Sequence, residues 1–135
     1  MSEGIRPLLA LLLALSLGCA ETARIPRPQD FPMHASNHPF FDLHWRLERT
    51  EKEVRAVGLV EAARVDQVGA VTVELQEIDA SGRVISRAMG QTYGGRLDMW
   101  ESRPFEVDLR PRGTGDRFEV RVWSFSWAVG FGSGH

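Results

Sequence analysis

Residues 71–89 leave this chain the fewest options. Val71, Val73 and Leu75 alternate with Thr72, Glu74 and Gln76, and a period of two gives a strand one apolar and one polar face. Asp79-Ala80-Ser81-Gly82 then breaks the pattern. Asp79 can bond back to its own backbone, and Gly82 can take the positive φ that closes a short hairpin loop. Val84 and Ile85 restart the apolar run. The segment reads as one β-hairpin, against which every other strand should pair or pack.

The rest of the chain repeats the theme. Phe41, Leu43, Trp45 and Leu47 alternate with Asp42, His44, Arg46 and Glu48, which predicts a strand with His44 on its solvated side. Residues 54–63 are apolar on both faces (Val57 and Leu59 against Val54, Ala56 and Val60), as a central strand would be. Gly58 in its middle predicts a bulge or a close approach of two backbones. Tyr93-Gly94-Gly95-Arg96 is a turn. A glycine pair can cradle phosphate, but no P-loop lysine follows it and no helix is predicted behind it. Phe105, Val107 and Leu109 alternate with Glu106, Asp108 and Arg110 behind Pro104, and residues 117–127 supply the last strand.

That last strand changes phase. Phe118, Val120 and Val122 are apolar at even positions, whereas Trp123, Phe125 and Trp127 are apolar at odd ones. A shift of one residue flips the buried side. Either a β-bulge near Val122 returns all six to the core, which is the reading we expect, or the aromatics form an exposed stripe. In the second case Trp123, Phe125 and Trp127 are the best partner-binding candidates in the chain, because aromatic side chains dominate interface energetics.

The amino-terminal part reads as an address. Arg6 precedes a leucine-rich run over residues 7–17, followed by Gly18 and Cys19, the only cysteine of the 135 residues. About a dozen apolar residues are too few to span a bilayer, which takes about 20, and match a signal-peptide core. The tail Leu15-Ser16-Leu17-Gly18-Cys19 resembles the lipobox of bacterial lipoproteins. The resemblance implies that the Cys19 thiol is diacylated and becomes the first residue of an exported protein anchored in the lipid bilayer of a bacterial cell envelope. Ala20 and Glu21 are not the aspartate that marks inner-membrane retention in enteric bacteria, so the outer membrane, facing the periplasm, is expected. Residues 19–39, with Pro26, Pro28, Pro32 and Pro39, look like an extended linker. The expected organisation is signal peptide 1–18, linker 19–39, β-domain 40–128 and flexible tail 129–135.

Candidates for chemistry are few. His34 and His38 lie four apart, with His44 beyond. On a helix the pair would share a face and could hold zinc, but Pro32 and Pro39 oppose a helix there, so no metal and no cofactor are expected. No serine sits in a Gly-x-Ser-x-Gly elbow, and no catalytic residue is assigned. The Asp and Glu residues fall mostly on outward faces, where solvation is the default. A formal charge of −2 with arginines scattered among acids leaves no nucleic-acid footprint.

Six strands at short spacing, turn signals between them and no helix predict an all-β fold, an antiparallel β-sandwich, with a partly open barrel as the alternative. Residues 54–63, Val71-Thr72-Val73-Glu74-Leu75, the turn Asp79-Ala80-Ser81-Gly82-Arg83-Val84 and Glu101-Ser102-Arg103-Pro104-Phe105-Glu106-Val107 follow an order similar to that of FxLYD-type domains. These are small immunoglobulin-like β-sandwiches common in bacterial envelope proteins. The resemblance spans about residues 41–127 and implies an immunoglobulin-like sandwich of six or seven strands; it brings no catalytic residues. The function expected is that of a membrane-anchored envelope lipoprotein, a non-catalytic binding or assembly module for a protein or polymer partner. The alternative is a carrier of an apolar ligand, with Trp45, Trp100, Trp123 and Trp127 lining a cleft between the sheets.

Overall fold

The hairpin forms where the alternation places it. In the computed structural model, which describes residues 25–128, strands β4 (Val68–Ile78) and β5 (Val84–Gln91) are antiparallel partners. Asp79 closes the turn between them. Its Oδ1 accepts from the Ser81 and Arg83 amides, each at 2.9 Å, and from Ser81 Oγ at 2.6 Å. Gly82 sits at φ 87°, the left-handed region that glycine enters without strain. The Ser81 hydroxyl and the Arg83 amide hold the Asp79 carboxyl below its ordinary titration range. The expected signal peptide, Cys19 and the expected tail at 129–135 lie outside the described residues.

Among the described residues, seven strands divide into two antiparallel sheets. One has the order β1-β2-β3-β6, built from Met33–Ala35, Phe41–Arg49, Val54–Ala62 and Ser102–Leu109; the other has the order β5-β4-β7, with β7 spanning Phe118–Trp127. The fold is therefore the antiparallel β-sandwich the alternation predicts. The division into four and three strands is that of immunoglobulin constant domains. The strand order is its own: β1, β2 and β3 form a meander, the chain crosses to β4 and β5, and β6 returns beside β3 before β7 pairs with β4.

The core lies between the sheets. Phe41, Leu43 and Trp45 of β2 meet Val71, Val73 and Leu75 of β4, with Phe105 and Val107 of β6 in the same cluster. Gly58 is the cross-strand neighbour of Trp45 on one side and Phe105 on the other, in a register that runs unbroken through both pairings. A Cβ there would lie 2.8 Å from the Cα and Cβ of Trp45. Of the two readings of Gly58, the close approach is the one realised: two large aromatics flank a residue with no side chain. Pro104 is tolerated because β6 is an edge strand.

The boundary expected at residue 40 is displaced. Phe31 is only 4 % exposed, with the guanidinium carbon of Arg46 5.6 Å from its ring centroid. Pro28–Asp30 form a 3-10 turn, and Met33 and Ala35 pair with Trp45 and Leu43. The second half of the expected linker is thus part of the domain. A three-residue edge strand between prolines carries no periodicity to read, and one buried aromatic is enough to dock it.

Candidate partner-binding surface

Strand β7 carries the bulge its phase shift predicts. Thr72 is opposite Ser124, yet Val73 is opposite Val122, so Trp123 is the extra residue. A second irregularity between Val68 and Val71 puts one extra residue on β4. The expected result, all six apolar residues in the core, follows only in part. Val120 is buried, and Phe118, Val122 and Phe125 pack against the cluster from its margin. Trp123 and Trp127 remain 47 % and 50 % exposed. Trp123 stays out because it is the bulged residue and has no facing partner. Trp127, the last residue of β7, stays half exposed although Val68, its partner across the ladder, is in the core.

Phe125 anchors an aromatic row at that end. Its ring is edge-on to Phe41 (5.2 Å between centroids), Phe40 (5.7 Å) and Trp127 (5.1 Å), the geometry the ring quadrupoles favour. His38 joins the row against Phe41 and Phe125, and its Nδ1 accepts from the Phe40 amide at 3.1 Å. Burial first, and the Arg64 charge second, push the His38 imidazole below its ordinary value of 6.5.

Trp100 completes the surface, and sequence reasoning passed over it except as a core or cleft tryptophan. It is 69 % exposed, and its φ of 70° is a left-handed conformation seldom adopted by a bulky residue. The backbone is held there. The Trp100 amide donates to the Ala62 carbonyl at 2.7 Å, the Met99 amide to Asp66 Oδ1 at 3.0 Å, and the Asp98 amide to Glu101 Oε1 at 2.8 Å. Val68 exchanges hydrogen bonds with Leu97 on one side and pairs with Trp127 on the other, while the Ala128 amide donates to Gln67. The loop bearing half-exposed Met99 and Trp100 and the end of β7 bearing Trp127 therefore flank the same segment, residues 66–68. A positive φ in a tryptophan was not legible: nothing in Met99-Trp100-Glu101 signals it.

Two carboxylates depart from the expectation of solvated outer faces. Glu74 is 0 % exposed although it alternates with Val73 and Leu75. Its cross-strand neighbours are Met89 and Arg121; Arg121 Nε donates to its Oε1 at 2.9 Å while the Arg121 guanidinium carbon lies 5.3 Å from the Trp123 ring centroid. Gln76 Nε2 also reaches Oε1, and Oε2 has no partner among the described residues. Glu77, 1 % exposed, accepts from the amides of Arg112 (2.7 Å), Gly113 (3.0 Å) and Gly115 (3.1 Å), and so holds the β6–β7 loop.

The hollows with volumes near 300 Å³ belong to the opposite end. One is lined by Arg49, Thr50, Glu53, Pro111 and Gly113, another by Val84, Arg87 and Arg112. Their walls are polar turn residues, and the four tryptophans line neither. Among the described residues no group of three or more His, Cys, Asp or Glu side chains is placed to hold a metal ion, and no helix is long and apolar enough to cross a membrane. His34 and His38 do not meet; His34 lies against His44 instead. Comparison with protein-family models, with curated proteins and with solved structures returns no match.

Proposed function

We propose that this protein is an envelope lipoprotein, anchored through an acylated Cys19, whose sandwich is a non-catalytic docking module for a protein partner. The observation that carries the reading is Trp100, an aromatic side chain held in water by a pinned left-handed backbone at the same end of the sandwich as a second exposed tryptophan, Trp127, which lies across residues 66–68 from it. Strain of this kind persists only where the surroundings over-determine it, and it clusters at functional sites. Tryptophan is also the residue type most enriched among interface hot spots.

The course of the chain supports the same reading. β1 runs antiparallel to β2, from Met33 opposite Trp45 to Ala35 opposite Leu43. It runs toward the end where β2 begins, which is the aromatic end. The chain therefore enters β1 from the opposite side, and a tether that continued that course would turn the aromatic end away from the bilayer. The partner then belongs to the space beyond the membrane surface.

Two experiments test the two halves. Cys19→Ser should release the folded protein from the membrane fraction; retention there overturns the anchor. A photo-crosslinking residue at Trp100 or Trp127 should capture one defined protein in intact envelopes, with Trp100→Ala abolishing capture through position 127. Diffuse capture that Trp100→Ala does not change overturns the docking surface.

A further inference from the structure

The outward face of the other sheet holds a constellation the docking reading does not use. His34 of β1 and His44 of β2 are cross-strand partners, and Glu61 of β3 shares their face one step along the ladder. His34 Nδ1 and His44 Nδ1 are 2.7 Å apart, and His44 Nε2 is 3.2 Å from Glu61 Oε1. We propose that His34 and His44 form a two-nitrogen chelating site for a borderline divalent transition metal, Cu²⁺ ahead of Zn²⁺, with Glu61 orienting His44 from behind.

The hydrogen-bond logic selects the lone pairs. An ionised carboxylate only accepts, so the proton of a neutral His44 sits on Nε2 and its Nδ1 presents a lone pair to His34. A carboxylate behind the second ring nitrogen is the arrangement that fixes tautomer and raises basicity in metal-bound histidines. In the metal-free protein the Nδ1–H of His34 fills the gap. A metal takes the place of that hydrogen once His34 carries its proton on Nε2. Two nitrogens bound at 2.0–2.1 Å in tetrahedral geometry stand about 3.3 Å apart. The pair, 2.7 Å apart, must open by about 0.6 Å to reach that spacing, and His34 is exposed on an edge strand, where it can move.

The surroundings favour a cation. The Asp42 carboxylate, across the ladder from Glu61, is paired at 2.7 Å with the nearby guanidinium of Arg64, which also reaches the carbonyls of His38 and Pro39, so Glu61 is the carboxylate left to favour a cation. With two protein ligands, the remaining positions are open to water. The site is then an exchangeable one rather than a closed structural cage, which agrees with the absence of any three-ligand group among the described residues. Two imidazoles select by the general order of divalent affinities, Cu²⁺ above Zn²⁺, and do not hold Mg²⁺ or Ca²⁺, which require oxygen ligands.

The test is a calorimetric titration of the untagged full chain in detergent micelles with Cu²⁺, Zn²⁺ and Mg²⁺. One equivalent of Cu²⁺ should bind most tightly, with Zn²⁺ weaker and Mg²⁺ silent. Binding should vanish in the His34→Ala, His44→Ala double variant, persist in His38→Ala, and weaken about 10-fold in Glu61→Gln. Because loss of His44 could unfold the sheet, electron paramagnetic resonance of the Cu²⁺-loaded wild type supplies a second reading: coupling to two imidazole nitrogens is expected. No stoichiometric Cu²⁺ in the wild type, undiminished binding in the double variant, or coupling to a single nitrogen overturns the proposal. The site does not depend on the docking reading, and each can fail without the other.

Discussion

The two ends of the sandwich are built on opposite rules. At the turn end, polar groups are matched almost bond for bond: Asp79 takes three hydrogen bonds, Glu77 closes the β6–β7 loop through three backbone amides, and Thr50 Oγ1 accepts from the Glu53 amide. Arg49 adds a bond to the Gly115 carbonyl and lies 5.1 Å from the Phe118 ring centroid. At the aromatic end, Trp100, Met99, Tyr93 and Trp127 stand in water, and one of them holds an unfavourable backbone angle. One end is finished as a fold. The other keeps apolar area exposed, as the proposed docking surface requires.

That contrast makes five predictions. The largest effect is at Glu77. Its replacement by alanine leaves three amides without their acceptor and should destabilise the domain by about 3 kcal/mol in urea unfolding. Glu77→Gln, which keeps the shape and one acceptor oxygen, should fall between. A loss under about 0.5 kcal/mol would mean that the turn end is not secured in this way.

Trp100→Gly sharpens the contrast from the other side. Glycine takes a φ of 70° without strain, so the variant should gain about 1 kcal/mol of stability while capture of a partner in the crosslinking assay falls. A stabilised variant with undiminished capture would separate the strain from the surface. Trp123→Ala should change stability little, because the ring is half exposed on a bulge.

The pH dependences follow from the two shifted groups. His38, at the aromatic end, is held below 6.5 by burial and Arg64. The unfolded chain therefore binds its proton first, and stability present above about pH 6.5 declines as the pH falls toward the lowered native value. His38→Phe should flatten that part of a stability profile measured from pH 7.5 to 5. Asp79, at the turn end, is held low by Ser81 and Arg83. Its smaller contribution is intact at neutral pH and disappears only as the pH falls through its depressed native value, so the profile of Asp79→Asn should depart from wild type only above the acid limb.

Much of the framework was legible in the chain. Phe41, Leu43 and Trp45 alternate and are buried; Asp79 to Gly82 turn; the odd–even switch after Val122 is a bulge. These are properties of neighbours in sequence, and a pattern of period two records them directly. The candidate surface was legible by half. Trp127 and Trp123 were flagged by the switch, whereas Trp100 was counted only for its size, because its φ is imposed by Ala62 and its loop by Asp66.

What the sequence determined by itself is the set of strands, their apolar faces and the hairpin turn, since each depends on side chains one or two residues apart. What only the tertiary structure decided is who meets whom: the docking of β1 onto β2, the meeting of His34 with His44, the burial of Glu74 and Glu77, and which aromatics stay in water. Those outcomes depend on the register and order of strands far apart in the chain. Contacts between such strands are chosen by the packing of the whole core, and no local pattern encodes them.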